Sequence, residues 1–101
     1  MEKIIQTLKE LNAEFKRDGF LIVGIFGSVA RGEEGKDSDV DLLYRLEEPF
    51  FQKYGGFYAF KRLEEIKQLI KKSIGKEIDF APFNNLSKTA QKHIIDDVIY
   101  V

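Results

Sequence analysis

The chain has 101 residues, of which 44% are hydrophobic and 33% charged, and its formal net charge is -1. This composition predicts one folded domain over residues 1–101, and the near-neutral charge argues against a protein that binds nucleic acid directly. The lack of cysteine excludes disulfides, thiolate metal sites and a cysteine nucleophile, and the lack of a signal peptide or long apolar run predicts a cytoplasmic protein without membrane contact.

Hydrophobic spacing and turn residues predict eight elements that alternate between helix and strand. They are a helix over residues 2–17, a strand over 20–26, a helical turn near 29–31, a strand over 40–46, a helix over 57–74, a strand over 77–81, a short helix over 87–94 and an edge strand over 98–101. The segment 47–56 is predicted to be irregular, because Pro49 and the pair Gly55-Gly56 interrupt regular structure.

The alternation of elements predicts an α/β (α+β) domain in which helices pack on a small sheet. The loop between the first two strands is too short for a crossover helix, so this pair of strands is expected to be antiparallel. We therefore expect a mixed, mostly antiparallel sheet rather than a doubly wound parallel one.

The segment Phe26-Gly27-Ser28 lies where a buried strand ends and a helical turn begins. A glycine here lets a phosphate group approach the backbone closely, because it has no side chain. The N–H groups of the following turn and the hydroxyl of Ser28 can then donate hydrogen bonds to phosphate oxygens. Gly27 and Ser28 are therefore candidate nucleotide-binding residues.

Three aspartates form the candidate catalytic and metal-binding set. Asp39 and Asp41 are two apart on a strand, so their side chains project from the same face while Val40 points into the core. Two like charges on one face repel each other, which makes sense if a divalent cation such as magnesium lies between them. Asp79 lies between two apolar residues of the third strand. It joins Asp39 and Asp41 if the third strand pairs beside the second. Three carboxylates and a triphosphate can together hold two metal ions.

The segments Phe26 to Gly32 and Ser38 to Leu43 resemble the signature of the DNA polymerase β-like nucleotidyltransferase superfamily. The resemblance is in particular to its minimal nucleotidyltransferases, small prokaryotic proteins typically encoded beside HEPN-domain partners. It extends over nearly the whole chain, including the strand around Asp79 and the hydrophobic ending of residues 98–101.

This resemblance implies a polymerase β palm-like fold in which Gly27 and Ser28 bind the triphosphate of ATP. It implies that Asp39 and Asp41 bind two Mg²⁺ ions and that Asp79 completes the catalytic metal site. The family includes antitoxins that neutralise a HEPN ribonuclease toxin, some of them by transferring AMP to a tyrosine of the toxin.

Several other residues have competing interpretations. Arg31 could reach the phosphates from the short helical turn or could pair with a neighbouring glutamate. Tyr44 could be a core residue or could contact the base. His93, the only histidine, is interpreted as a packing or surface residue because it has no partner for a metal or catalytic site. A Walker A interpretation of 27–32 fails, because Glu33 follows where the motif needs lysine.

Six aromatic residues lie within eleven positions, which is more than one face can bury. They are Phe50, Phe51, Tyr54, Phe57, Tyr58 and Phe60. We expect part of this aromatic segment to be core, and an exposed remainder would mark a surface for a partner or a second copy of the chain.

The functional hypothesis is a magnesium-dependent nucleotidyltransferase that moves a nucleotide, AMP from ATP, to a hydroxyl of a partner protein, with a HEPN toxin as the expected partner. The first alternative is an antitoxin that acts by direct binding, with an idle nucleotide site. The second is an enzyme that modifies a small molecule. The acceptor, the base preference and self-association are left open by the sequence.

Overall fold

Four helices, one 3-10 turn and four strands have their bounds within the described residues, and residues 88, 89, 92 and 96 are helical as well. The computed structural model describes residues 2–30, 32, 39–83, 88–89, 92, 96 and 98–101. In chain order the elements are α1 (Glu2–Phe15), a 3-10 turn (Lys16–Asp18), β1 (Phe20–Phe26), α2 (Gly27–Ala30), β2 (Val40–Leu46), α3 (Glu48–Lys53), α4 (Phe57–Ile74), β3 (Ile78–Pro82) and β4 (Ile99–Tyr100).

The strands form one sheet in the order β3-β2-β1-β4. β1 is antiparallel to both β2 and β4, whereas β2 and β3 run parallel. The short connection between β1 and β2 gives an antiparallel pair, as predicted, and the longer connection through α3 and α4 allows β3 to join in parallel. The prediction of a mixed, mostly antiparallel sheet with packed helices is confirmed.

One face of the sheet carries the hydrophobic core, and α1 and α4 cover it. Alternate residues of the strands contribute the buried side chains Phe20, Ile22, Ile25, Val40, Leu42, Tyr44 and Ile78. Leu8 and Phe15 from α1, Phe50 from α3, and Ile66 and Ile70 from α4 complete this cluster. Because strand residues alternate between faces, the side chains of Asp41 and Asp79 belong to the opposite face of the sheet.

An irregularity in β1 is stabilised by a side chain from α1. The pairing between β1 and β2 shifts between Ile22 and Gly24, which leaves Val23 as an extra residue. The amide of Asn12 accepts a hydrogen bond from the Ile22 N–H at 3.0 Å and donates one to the Ile22 carbonyl at 3.2 Å. Asn12 thereby satisfies both main-chain groups of Ile22 and fixes α1 against β1.

A cluster of polar side chains joins the end of α1 to α3 and α4. The carboxylate of Asp18 accepts hydrogen bonds from Arg62 Nη2 at 2.8 Å, Lys53 Nζ at 3.2 Å and the Tyr54 hydroxyl at 3.3 Å. Partial burial tends to raise the pKa of Asp18, but the bonds from Arg62 and Lys53 outweigh this effect, and the net pKa lies below its ordinary value. The cluster therefore favours the ionised form of Asp18.

The structure differs from the sequence predictions mainly at α3. We predicted irregular structure for 47–56, and this was wrong, because Glu48–Lys53 is helical. Pro49 lies in the first turn of this helix, where its missing N–H breaks no hydrogen bond, and Phe50 is fully buried. The first helix ends at Phe15 and is extended by the 3-10 turn, and the predicted helix 87–94 lies mostly outside the described residues.

None of the helices in the described part of the chain is long and apolar enough to span a membrane.

Candidate active site

The end of β1 and two aspartates on neighbouring strands form a row across one face of the sheet. Phe26, the last residue of β1, pairs with Asp41 of β2, and Asp41 pairs in turn with Asp79 of β3. Paired residues on adjacent strands project from the same face, and the strands lie about 4.8 Å apart. The row therefore runs laterally from the turn at Gly27 through Asp41 to Asp79.

Gly27 and Asp41 are in direct contact at the centre of this row. The φ angle of Gly27 is +78°, a conformation that side chains other than glycine rarely adopt. A Cβ atom at Gly27 would lie 3.0 Å from Asp41 Cγ and would overlap Asp41 Oδ2. The absence of a side chain at residue 27 thus leaves the space that the Asp41 carboxylate occupies.

The three aspartates differ in their surroundings. Asp41 is half-buried, whereas Asp79 and Asp39 are exposed. Asp39 immediately precedes β2 and is separated from Asp41 by Val40, whose side chain is fully buried in the core. The parallel pairing of β2 and β3 brings Asp79 beside Asp41. The sequence included Asp79 with the other two aspartates only if its strand paired beside theirs, and this pairing is present.

The chemistry of these groups fits a magnesium ion that also contacts a substrate. Across the part of the chain that the structure describes, no three side chains of His, Cys, Asp or Glu are arranged to hold a metal by themselves. Magnesium is commonly held by one or two carboxylates together with water and substrate phosphates. The pair of Asp41 and Asp79 offers such hard oxygen ligands beside the turn at Gly27.

The other sequence candidates have different outcomes. Three of them lie outside what the structure describes, namely the side chain of Ser28 and the whole of both Arg31 and His93. The roles predicted for these three residues stay predictions. Tyr44 is a core residue: its ring is 7% exposed and stacks on Phe20 with a centroid separation of 5.2 Å. Burial raises the pKa of the Tyr44 hydroxyl, so this group stays protonated at neutral pH.

The aromatic segment divides into a buried and an exposed part, as expected. Phe50 is fully buried and Tyr54 partly so, with ring centroids 5.0 Å apart. The exposed part consists of Phe51, Phe57, Tyr58 and Phe60, each of which is at least 59% exposed. This surface is formed by α3 and by the first turn of α4.

A groove beside Asp79 was not identified from the sequence. Asp79 and Phe80 of β3 line it on one side, and Phe60 and Lys67 of α4 line it on the other. Residues seven apart on a helix lie on nearly the same flank, so the spacing of Phe60 and Lys67 was a usable signal. The sequence alone, however, does not show that this flank lies against β3.

The whole chain, residues 1–101, matches the sequence profile described as a nucleotidyltransferase domain. The chain belongs to this nucleotidyltransferase family. The protein adenylyltransferase MntA of Thermococcus cleftensis is 32% identical to this nucleotidyltransferase over 93 residues, which cover 92% of this chain and 83% of the relative. A candidate protein adenylyltransferase of Methanocaldococcus jannaschii is 26% identical over 105 residues, which cover 98% of this chain and 99% of the relative.

Solved structures agree with this assignment. The structure of a candidate minimal nucleotidyltransferase matches with a TM-score of 0.76 and 26% identity, and the match covers 99% of this chain and 94% of the other. A crystal structure of a toxin-antitoxin with AMP-PNP matches with a TM-score of 0.54 and 19% identity, covering 87% of this nucleotidyltransferase and 60% of that chain. The second match supports the fold alone. The family and the fold predicted from the sequence are therefore confirmed.

Proposed function

We propose that this nucleotidyltransferase moves AMP from ATP to a hydroxyl group of a partner protein in a magnesium-dependent reaction. The observation that carries the proposal is the row formed by Gly27, Asp41 and Asp79, in which a glycine turn adjoins two carboxylates on neighbouring strands. Two relatives that match most of the chain are named as a protein adenylyltransferase or a candidate for one, which supports a protein as the acceptor.

In the proposed reaction the backbone at Gly27 and the hydroxyl of Ser28 hold the phosphates of ATP. Asp79 accepts a hydrogen bond from the incoming hydroxyl and receives its proton on a carboxylate oxygen. The acceptor oxygen forms a bond to the α-phosphorus, the bond from that phosphorus to the bridging oxygen breaks, and pyrophosphate leaves. The proton then passes from Asp79 to water.

Magnesium, held by Asp41 and Asp79 and with Asp39 nearby, would neutralise the negative charge of the phosphates. Its role is consistent with the position of Asp41, which strand pairing puts between the turn at Gly27 and Asp79. Arg31, which follows α2, is proposed as an additional phosphate contact. Two metal ions are proposed, in agreement with the resemblance discussed above.

The proposed acceptor is a tyrosine or serine hydroxyl of a HEPN-domain toxin, and the chain would act as its antitoxin in the cytoplasm. The toxin-antitoxin structure with AMP-PNP, which shares this fold, is consistent with an assembly of this kind. The exposed aromatic residues, such as Phe57 at 77% exposure, favour a second candidate function, in which the chain neutralises its partner by binding alone.

The two functions are distinguished by an assay that uses ATP labelled at the α-phosphate and measures the transfer of label to the purified partner. We expect transfer by the wild type with magnesium and at least a 100-fold lower rate for Asp41→Asn, as is typical when a group that stabilises the transition state is removed. Glu14→Gln is the matched control, because Glu14 is exposed on α1, which packs on the other face of the sheet. Full neutralisation of the toxin by Asp41→Asn without transfer would instead support binding alone.

A further inference from the structure

A small cavity lies on the face of the sheet that carries the aspartates. Its volume is about 200 Å³, and it is lined by Val23, Leu43, Arg45, Phe83 and Tyr100. Leu43 and Arg45 follow Asp41 at intervals of two along β2, so these three side chains project from one face. Tyr100 pairs with Gly24 of β1, and Gly24 pairs with Leu43, so the Tyr100 ring belongs to the same face. The cavity therefore lies on the same face as the carboxylates.

The burial of Leu43 supports this placement. Leu43 is fully buried, yet among the described residues it is not part of the core cluster beneath α1 and α4. Its neighbours Leu42 and Tyr44 do belong to that cluster. Because successive side chains of a strand alternate between faces, Leu43 is buried on the aspartate face. This face thus has an apolar patch about 7 Å along β2 from Asp41.

Arg45 places a half-buried cation in this mainly apolar lining. None of the acidic side chains in the described part of the chain forms an ion pair with it, whereas Arg62, which is also half-buried, binds Asp18. A guanidinium group carries N–H donors and no acceptor, so it binds groups that accept hydrogen bonds. Two aromatic rings and a donor in one cavity are suited to a planar ligand with acceptor atoms at its edge.

The position of the cavity fits the base of a nucleotide whose phosphates lie at Gly27. A ribose separates the α-phosphate of a nucleotide from its base, so a base site has to lie a short way from the carboxylates on the same face. Leu43, in the floor of the cavity, is two residues from Asp41 on β2. Proteins commonly hold bases by stacking them on aromatic side chains, and Phe83 and Tyr100 supply such rings.

We propose that this cavity is the base subsite and that it selects a purine. Phe83 and Tyr100 pack against the base, and Arg45 donates a hydrogen bond to N7, an acceptor that adenine and guanine share. A purine has two fused rings, so it covers more of the apolar lining than a pyrimidine does. This inference rests on the proposed function. It adds the residues that hold the base and the expectation that GTP is bound as well as ATP.

The first test locates the base in the ¹⁵N-labelled chain with magnesium AMP-PNP and with magnesium tripolyphosphate, which has no base. We expect both probes to shift the amide signals of Gly27 and Asp41. Only AMP-PNP should shift the signals of Leu43, Arg45 and Tyr100. If AMP-PNP shifts the first two signals and leaves the other three unchanged, the base subsite is refuted while the proposed function stands. If neither probe shifts the Gly27 and Asp41 signals, the proposed function fails, and the subsite fails with it.

The second test measures binding of the same two probes to variants by calorimetry. Tyr100→Ala should weaken AMP-PNP binding about tenfold, the effect of one stacking contact, and should leave tripolyphosphate binding unchanged. Arg45→Met should weaken AMP-PNP binding about two- to tenfold, again without an effect on tripolyphosphate. The matched controls Leu69→Ala and Arg17→Met remove exposed side chains of α4 and of the 3-10 turn, and they should bind both probes normally.

Two outcomes of this measurement overturn the proposal. Equal weakening of AMP-PNP and tripolyphosphate by Arg45→Met would assign the cavity to a phosphate group. Equal effects of Tyr100→Ala and Leu69→Ala on AMP-PNP binding would exclude the ring of Tyr100 as a stacking partner for the base.

The choice of purine is tested with GMP-PNP and UMP-PNP in the same assay. We expect GMP-PNP to bind within about tenfold of AMP-PNP, because N7 is common to both bases. UMP-PNP should bind at least about tenfold more weakly, because its single ring stacks over a smaller area. Binding of UMP-PNP as tight as that of AMP-PNP would refute the selection of a purine, as would a loss of more than about 100-fold for GMP-PNP.

Discussion

Gly27→Ala should damage both the stability and the activity of this nucleotidyltransferase, for two separable reasons. A residue with a side chain costs about 1–2 kcal/mol in the left-handed conformation that Gly27 adopts at φ +78°. The added methyl group would also overlap the Asp41 carboxylate, so that side chain must leave its preferred rotamer at a cost of about 1 kcal/mol. The expected total loss in the free energy of unfolding is about 2–3 kcal/mol.

Gly75→Ala provides the matched control. Gly75 ends α4 at φ +79°, so the cost of the conformation is the same, but a Cβ atom there would have no neighbour within 4 Å. We expect a loss of about 1–2 kcal/mol, which is about 4–15 °C in Tm for a domain of this size, with normal nucleotide binding and transfer. The difference between the two variants isolates the contact with Asp41.

The assay combines urea unfolding with magnesium AMP-PNP binding and AMP transfer, all under conditions where both variants are folded. Gly27→Ala should lose about 100-fold in transfer rate, since it displaces a carboxylate that is proposed to act on the reacting phosphate. The reasoning would be refuted if Gly27→Ala and Gly75→Ala lost the same stability and both kept full activity.

Three further predictions concern the packing of the helices and the sheet. Asn12→Ala removes both hydrogen-bond partners of the Ile22 main chain and should lower the free energy of unfolding, measured in urea, by about 2 kcal/mol. Asn12→Asp keeps an acceptor for the Ile22 N–H, so it should lower the free energy of unfolding by less. Asp18→Asn should lower the free energy of unfolding by about 1–2 kcal/mol at neutral pH. Because the pKa of Asp18 is lowered in the folded state, this stabilisation is present above the ordinary aspartate pKa of about 3.9 and should disappear as the pH falls below it. Phe50→Ala should cost about 3–5 kcal/mol, and Phe51→Ala, with a ring 59% exposed, less than about 0.5 kcal/mol.

Each of these predictions has an outcome that contradicts it. An unchanged stability of Asn12→Ala would mean that the Ile22 groups are satisfied without the side chain. A difference between wild type and Asp18→Asn that persists unchanged from neutral pH to pH 3 would exclude the ionised carboxylate as its cause. Similar losses in the free energy of unfolding for Phe50→Ala and Phe51→Ala would contradict the division of the aromatic segment into a buried and an exposed part.

The order of the elements and the antiparallel β1–β2 pair could be predicted because the signals are local. Alternating burial, a short loop and glycine at the end of a helix each act within a few residues, so a sequence shows them directly. The prediction failed at α3 because Pro49 was interpreted as a helix breaker. A proline in the first turn of a helix is compatible with that helix. Only the packing of Phe50 distinguishes a proline that begins a helix from one that interrupts regular structure.

The candidate site was predictable to the extent that it depends on spacing. The spacing of Asp39 and Asp41 predicts that they share a face, but the place of Asp79 depended on which strand lies next to β2. Strand order is decided by long-range packing, so the sequence gives only a conditional answer. The same limit applies to the groove beside Asp79 and to the contact of Asn12 with Ile22, which join elements far apart in the chain.

The parallel pairing of β2 with β3 has a consequence for how the protein reaches its active form. The β1–β2 hairpin closes over a short loop, whereas β3 can join only after α3 and α4 have been synthesised and folded back. We therefore expect a nascent chain to acquire Asp41 and its glycine turn early and Asp79 late. An incomplete polypeptide on the ribosome would hold Asp39 and Asp41 without Asp79, so the proposed set of three aspartates would stay incomplete until synthesis has passed the third strand.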